Sequence, residues 1–398
     1  MKGLMIAGSA GKGKTIIALA VIAALKNLGY KVMPFKTGPD YADPSYHSLL
    51  AKTSAENLDF FTMGREGVEY IYSRKKDEFD FAVVEGEDDK SSRGIARILD
   101  LPVIQVTDRS GTKQVIAADA SKERTLLGTV LEMPRIEIRR RQISGNVDKT
   151  RIKLGVKELL EIARFIDLGK IIELSSECKI KVKKPAKINT DKKPAIGVAR
   201  DAAFCFHYPY NLEDLSSRAR IIYFSPMIDA LPDVSGLIFG GGYPELYAEQ
   251  LSKNGPLLRC IRKAAEDGMP IFGECGGLMY LSRRIEVEGR RYKMAGVMPA
   301  DIEMQQMLSG YVELEALRNC IVAEKSDTLR GHESHYSRAY PDGDLKYAFN
   351  VKRGEGIIDR KDGIMVQSAL AQYTHIHTVG NPNFFEVFSR ASAQYARR

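Results

Sequence analysis

Leu4-Met5-Ile6-Ala7-Gly8-Ser9-Ala10-Gly11-Lys12-Gly13-Lys14-Thr15 opens the chain with an apolar run, a glycine-rich turn and a Lys-Thr pair. The last eight of these residues fit G-x-x-x-x-G-K-[ST] without a mismatch, the pattern of a phosphate-cradling loop between a strand and a helix. Both neighbours are in place. Leu4–Gly8 reads as a buried strand, and Thr15–Leu28 as a helix closed by Gly29. Gly8, Gly11 and Gly13 let backbone N–H groups turn inward around a phosphate, and the helix N-terminus adds partial positive charge. Lys14 is expected to reach the β- and γ-phosphates, and the Thr15 hydroxyl to bind Mg²⁺. A glycine-rich turn with a chance lysine is the bland alternative. It must explain why strand, loop, Lys-Thr and helix all coincide.

Outward from this stretch the pattern repeats. Lys31–Gly38, Phe81–Gly86 and Pro102–Asp108 read as further buried parallel strands. Seven lysines then fall between Lys179 and Lys193, together with Pro185, and the alternation restarts after Pro194. Ala195–Asp201, Arg220–Pro226, Gly236–Gly242 and Met269–Cys275 are again strand candidates, and Glu245–Asp267 reads as a helix. Two open α/β sheets are expected, with chemistry at the carboxyl ends of their strands. The expected domains are residues 1–177 and 195–398, joined by a lysine-rich linker at 178–194.

The 398 residues are 44% hydrophobic and 28% charged, a soluble globular composition. No apolar run is long enough to span a bilayer. The first residues read as a strand, not a signal peptide, so a cytoplasmic location with no membrane partner is expected. The net charge of +8 suits a polyanionic partner. The lysine run lacks interleaved aromatics, so it reads as a solvated linker and no nucleic-acid partner is expected. The five cysteines are scattered and do not form metal-ligand spacings or a disulfide framework.

Lys36-Thr37-Gly38-Pro39-Asp40-Tyr41-Ala42-Asp43-Pro44 places a lysine and carboxylates at the end of the second strand. Lys36 could neutralise a transferring phosphoryl group, and Asp40 could hold Mg²⁺. A loop with aspartate as a helix cap is the plain alternative. Glu85, ending Phe81–Gly86, is placed like a metal-coordinating acid. Gly273-Glu274-Cys275-Gly276-Gly277 is a nucleophile elbow with cysteine in the serine position. Such a turn exposes the sulfur at a helix N-terminus, where the dipole favours thiolate. The N–H of Gly276 could supply one oxyanion donor, and the loop Gly240-Gly241-Gly242 another. The base must be a histidine. His375 and His377 form one pair and His332 and His335 another; on a strand, His375 and His377 would share a face. A metal site built from these four histidines is the rival.

Together, GSAGKGKT, FKTGPDYADPSYH, NLDFF, ARDAAFCF, GLIFGGGYPE, FGECGGLMYL, GHESHYSR and YTHIH resemble the cobyrinic acid and Ni-sirohydrochlorin a,c-diamide synthase family. The resemblance implies two doubly wound domains: an N-terminal P-loop NTPase-like one and a C-terminal class I glutamine amidotransferase-like one, of the type without the usual third triad acid. It implies Cys275 as nucleophile and His375, in the Tyr-x-His block, as its base and acid. It also implies Lys14, Thr15, Lys36, Asp40 and Glu85 around ATP, Mg²⁺ and an activated carboxylate. The partners implied are L-glutamine and an anionic tetrapyrrole, with a homodimer left open. The implied reaction is amidation of the a and c acetates of cobyrinic acid through acyl phosphate and channelled ammonia. The same chemistry on Ni-sirohydrochlorin, and a non-catalytic nucleotide- or tetrapyrrole-binding homologue, are the alternatives. Two segments depart from the family pattern. Val84-Glu85-Gly86-Glu87-Asp88-Asp89-Lys90 replaces a Val-Glu-Gly-Val-Met-Gly block, and Asp108–Leu127 is short where the family has a further strand and helix.

Overall fold

A computed structural model describes residues 1–9, 11, 13–109, 112–118, 124–130, 155–181 and 193–398. The chain divides into two compact units, Met1–Pro185 and Ala186–Arg398. Most of the lysine-rich stretch, residues 182–192, lies outside the described residues.

In the first unit the described strands are β1 (Lys2–Gly8), β2 (Val32–Thr37), β3 (Glu56–Leu58), β4 (Phe81–Glu87), β5 (Val103–Arg109), β6 (Thr112–Ala118), β7 (Arg124–Val130) and β8 (Ser176–Glu177). They lie in the order β3-β2-β4-β1-β5-β6-β7, with β8 antiparallel on the start of β1. The five strands from β3 to β5 are parallel. Their apolar runs are buried on both faces, as helix-covered parallel strands must be. Helix α1 (Lys14–Asn27) buries residues all around its circumference, and Gly29, at φ 92°, ends its last turn. The other described helices are α2 (Ala42–Ala51), α3 (Phe60–Ser73), α4 (Lys90–Ile98), α5 (Val156–Ala163) and α6 (Leu168–Leu174). The short segment after Asp108 changes the sheet: β6 runs antiparallel to β5 and β7 antiparallel to β6. Only two residues separate β5 from β6, too few for the crossover that parallel pairing needs.

In the second unit the strands are β9 (Ala195–Ala199), β10 (Arg220–Phe224), β11 (Gly236–Phe239), β12 (Ile271–Glu274), β13 (Arg284–Val287), β14 (Arg290–Lys293), β15 (Ala300–Ala316), β16 (Thr328–Pro341), β17 (Lys346–Arg353), β18 (Lys361–Val366), β19 (Ala369–Gln372) and β20 (His375–Ile376). The parallel half is β10-β9-β11-β12-β19, and the antiparallel strands β18, β17 and β15 extend it. Helices α7 (Pro209–Arg218), α8 (Ala248–Lys253), α9 (Gly255–Glu266), α10 (Gly276–Leu281) and α11 (Phe384–Tyr395) complete it. The single helix expected over Glu245–Asp267 is a 3-10 turn followed by α8 and α9. Asn254, at ψ 54°, leaves the helical region and breaks the run, its side chain caps α9 by accepting from the Leu257 N–H, and Pro256 sits in the first turn of α9, where its missing N–H costs no helical bond. Aromatic and aliphatic side chains such as Phe204, Phe239, Leu278 and Tyr280 pack beneath the carboxyl ends of β11 and β12, which fixes the turn after each strand.

Candidate functional site

The first cluster lies at the carboxyl ends of β1, β2 and β4. Gly11 and Gly13 have φ values of 74° and 86°, backbone that favours glycine. A Cβ on Gly8 would lie 2.8 Å from the Val106 carbonyl oxygen. Lys36 pairs across the ladder with Glu85, and Gly8 with Glu87. The Thr15 hydroxyl donates to Glu85 Oε1 at 2.6 Å. Lys36 Nζ lies 2.8 Å from Asp43, 3.0 Å from Glu85, 3.6 Å from Glu87 and 4.0 Å from Asp40. His47 Nε2 is 2.8 Å from Glu85 Oε2, and Lys14 Nζ is 2.8 Å from Glu87.

These contacts set the charges. Burial would lower the Lys36 ammonium, but Glu85, Asp43 and Asp40 hold it above the ordinary lysine range. Burial and the neighbouring Asp43 push Asp40 up to about 6, against the opposing pull of Lys36. Burial would raise Glu85, yet His47, Lys36 and Thr15 hold it well below the carboxylate range. Thr15, Asp40 and Glu85 offer hard oxygen donors of the type Mg²⁺ takes. Among the described residues there is no group of three or more His, Cys, Asp or Glu side chains arranged for a metal ion, the four histidines included.

The second cluster lies at the carboxyl end of β12. Cys275 sits at φ 51°, ψ −97° between β12 and α10, a strained conformation for a non-glycine residue. Its backbone N–H donates to the Gln372 carbonyl at 2.7 Å. The residue is only 4% exposed, so the sulfur is less open than the elbow pattern leads one to expect. Its side chain hydrogen-bonds to His375. His375 Nδ1 lies 2.9 Å from Glu274 Oε1, and the Ile376 N–H donates to Glu274 Oε2 at 3.1 Å. Burial alone would lower the His375 imidazole; the Cys275 sulfur and the Glu274 carboxylate outweigh it and raise it to about 10.

His377 faces elsewhere, its ring stacked 5.7 Å from that of Tyr210 and tilted against that of Tyr208 at 4.6 Å. His332 stacks on His375 at 4.9 Å between ring centroids. Burial, then the neighbouring His375 and His377, keep His332 well below the ordinary histidine range. His335 stacks on Tyr373 at 3.8 Å, with Nδ1 2.8 Å from the Ser337 carbonyl.

The loop after β11 comes close to this pair. A Cβ on Gly241 would lie 2.5 Å from His375 Cε1, and one on Gly242 would lie 2.1 Å from the Ala203 carbonyl oxygen. A Cβ on Gly276 would lie 3.1 Å from the Gly242 nitrogen, so the backbones of Gly242 and Gly276 adjoin beside Cys275.

The sequence reading leaves Asp43 an unassigned carboxylate of the loop after the Lys36 strand and gives His47 no role. They stand one helical turn apart on α2, and that i, i+4 spacing was the available signal. Glu274 sets a carboxylate against His375, where the family resemblance implied no such acid. Its place beside the nucleophile in sequence was visible, but its contact with His375 was not. No helix among the described residues is long and apolar enough to cross a membrane.

Known proteins bear on both clusters. Residues 4–198 match the CobQ/CobB/MinD/ParA nucleotide binding domain, and residues 195–383 the CobB/CobQ-like glutamine amidotransferase domain. The chain is 35% identical to a cobyrinate a,c-diamide synthase of Haloarcula marismortui, over 95% of this chain and 96% of that one. It is 31% identical to one of Archaeoglobus fulgidus, covering 97% and 96%. It is 33% identical to one of Methanothermobacter thermautotrophicus, covering 99% and 100%. The alignments run to 433, 442 and 453 positions, more than the 398 residues present here, so each relative has stretches with no counterpart in this chain.

Proposed function

Because the chain belongs to the cobyrinate a,c-diamide synthase family, and is thus a glutamine-dependent amidotransferase ligase of corrinoid biosynthesis, we propose that it amidates the a and c acetate carboxylates of cobyrinic acid at the expense of ATP. Residues 1–177 carry the synthetase chemistry and 195–398 the release of ammonia.

The hydrogen-bonded series Glu274–His375–Cys275 carries this reading. With Nδ1 turned to Glu274, Nε2 is the ring nitrogen that serves the sulfur. The Cys275 thiolate attacks the side-chain amide carbon of glutamine, and the N–H groups of Gly242 and Gly276 donate to the oxyanion that forms. Gly241 serves by letting His375 approach. The His375 imidazolium gives its proton to the departing nitrogen, and ammonia leaves a glutamyl thioester. Water, deprotonated by the same imidazole, hydrolyses that thioester and frees the thiol.

In the first unit the loop N–H groups and Lys14 bind the triphosphate. Lys36 offsets charge on the phosphoryl group as it passes to a macrocycle carboxylate. Ammonia then displaces phosphate from the acyl phosphate and leaves an amide. Thr15, Asp40 and Glu85 are the residues that would hold Mg²⁺, which when bound supplies charge neutralisation to phosphate oxygens.

The test is to incubate the full chain with ATP, Mg²⁺ and glutamine beside cobyrinic acid or Ni-sirohydrochlorin, and to read the product mass. The reading expects cobyrinic acid a,c-diamide. Diamide formed from Ni-sirohydrochlorin alone transfers the same chemistry to that ring, and product from neither refutes the reading.

A further inference from the structure

Glu87 puts a carboxylate where the phosphate loop should meet its anion. A P-loop lysine exists to contact the β- and γ-phosphates, yet Lys14 Nζ is 2.8 Å from Glu87 Oε1. The same oxygen is 3.6 Å from Lys36 Nζ. Both lysines are buried to 2% exposure, so one side chain lies against both of the cations that a terminal phosphate would need.

The placement is built into the sheet. Glu87 ends β4 and pairs in register with Gly8, the first residue of the loop. Its backbone N–H donates to Ser92 Oγ at 3.0 Å, and the Ser92 N–H is in turn held by Asp89 at 2.7 Å. The backbone is therefore fixed while the carboxylate, 39% exposed, can change rotamer. Glu85 and Asp43 are buried against Lys36 and have no such freedom. Asp40 is partly exposed but lies 4.0 Å from Lys36. The position is also one of departure: glutamate stands here in place of the second valine of the family block.

Charge argues in the same direction. Four carboxylates surround Lys36, and one of them also holds Lys14. An incoming triphosphate adds further negative charge to a site that already carries an excess, and like charges at hydrogen-bond range repel strongly when water is excluded.

We infer that Glu87 is a specificity-determining residue of the nucleotide site: its carboxylate stands in for the terminal phosphate on Lys14 and Lys36, and a nucleoside triphosphate binds only by turning that side chain outward. The inference rests on the reading that this loop binds ATP. It makes nucleotide affinity a competition between a tethered carboxylate and a phosphate, and it weakens triphosphate more than diphosphate, because the diphosphate does not reach Lys36.

The test measures ATP and ADP binding to the full chain in the presence of Mg²⁺, by equilibrium dialysis or calorimetry. Wild type is compared with Glu87→Gln and Glu87→Ala, and Lys14→Ala is the control for the loop itself; melting curves confirm that each variant is folded. Both Glu87 variants are expected to bind ATP about tenfold tighter or better, with a smaller gain for ADP. ATP affinity unchanged in both variants, or lowered, overturns the inference while leaving the loop reading intact, provided wild type binds ATP and Lys14→Ala does not. An equal gain for ATP and ADP also overturns it, since Lys36 would then play no part. If neither wild type nor either Glu87 variant binds nucleotide, the loop reading fails and the inference falls with it.

Discussion

Glu274→Gln removes one negative charge and leaves the shape of the side chain. In the wild-type protein both carboxylate oxygens are used, one by His375 Nδ1 at 2.9 Å and the other by the Ile376 N–H at 3.1 Å. A glutamine oxygen can still accept one of these bonds, so the fold at β20 should survive. The imidazolium loses its charged partner. A hydrogen bond between charged groups contributes about 1.5–3 kcal/mol. The rate of glutamine hydrolysis should therefore fall by about 10- to 150-fold. His375 is raised to about 10, by the Cys275 sulfur and then by Glu274, against the effect of burial. A raised histidine loses its proton, and its role as acid, as pH climbs through that value. The wild-type alkaline limb should lie near there, and the variant's limb should move to lower pH. The assay is ammonia release from glutamine across a pH series, with KM and kcat fitted separately. KM should change little, and synthesis from free ammonium should be unaffected. A variant whose kcat and alkaline limb both match wild type would refute the assignment of Glu274 as the residue that orients and charges His375.

Other expectations follow from the same contacts. Cys275→Ala should abolish glutamine-dependent synthesis and leave synthesis from ammonium salts, measured by product mass. Lys14→Ala should abolish both, because it removes the phosphate contact and not the nitrogen source. Gly241→Ala would place its Cβ 2.5 Å from His375 Cε1; glutaminase activity should drop by an order of magnitude or more, about 1.4 kcal/mol per tenfold, while ammonia-dependent synthesis persists. Phe388, fully buried in the second unit, should cost about 3–5 kcal/mol of unfolding free energy as Phe388→Ala, read by denaturant titration.

What could be read from sequence was local. The loop Gly8–Thr15, the elbow Gly273–Gly277 and the parallel strands each have signals within a dozen residues, and the structure places the described residues of those elements as expected. What could not be read depends on pairing across long stretches of chain. Glu274 meets His375 across 101 positions, and Lys36 meets Glu85 across 49; no spacing rule spans such distances. The mostly antiparallel strands β13 to β18 were missed because they lack the strand–helix alternation that revealed the strands of the parallel half. The reversal from β5 through β7 was visible only as an unusually short polar segment. The exposed thiol suggested by the elbow is in fact buried, because His375, β16 and the loop after β11 crowd over it.

The central claim is that nitrogen freed at Cys275 ends in a carboxyl group activated with ATP by the other half of the same chain. It is tested most directly by supplying glutamine labelled with heavy nitrogen in its side-chain amide, together with ATP, Mg²⁺ and cobyrinic acid, in a buffer containing unlabelled ammonium. The account predicts labelled nitrogen in both new amides and one phosphate released per amide formed. Product carrying only unlabelled nitrogen, or amides formed without ATP consumption, would contradict it.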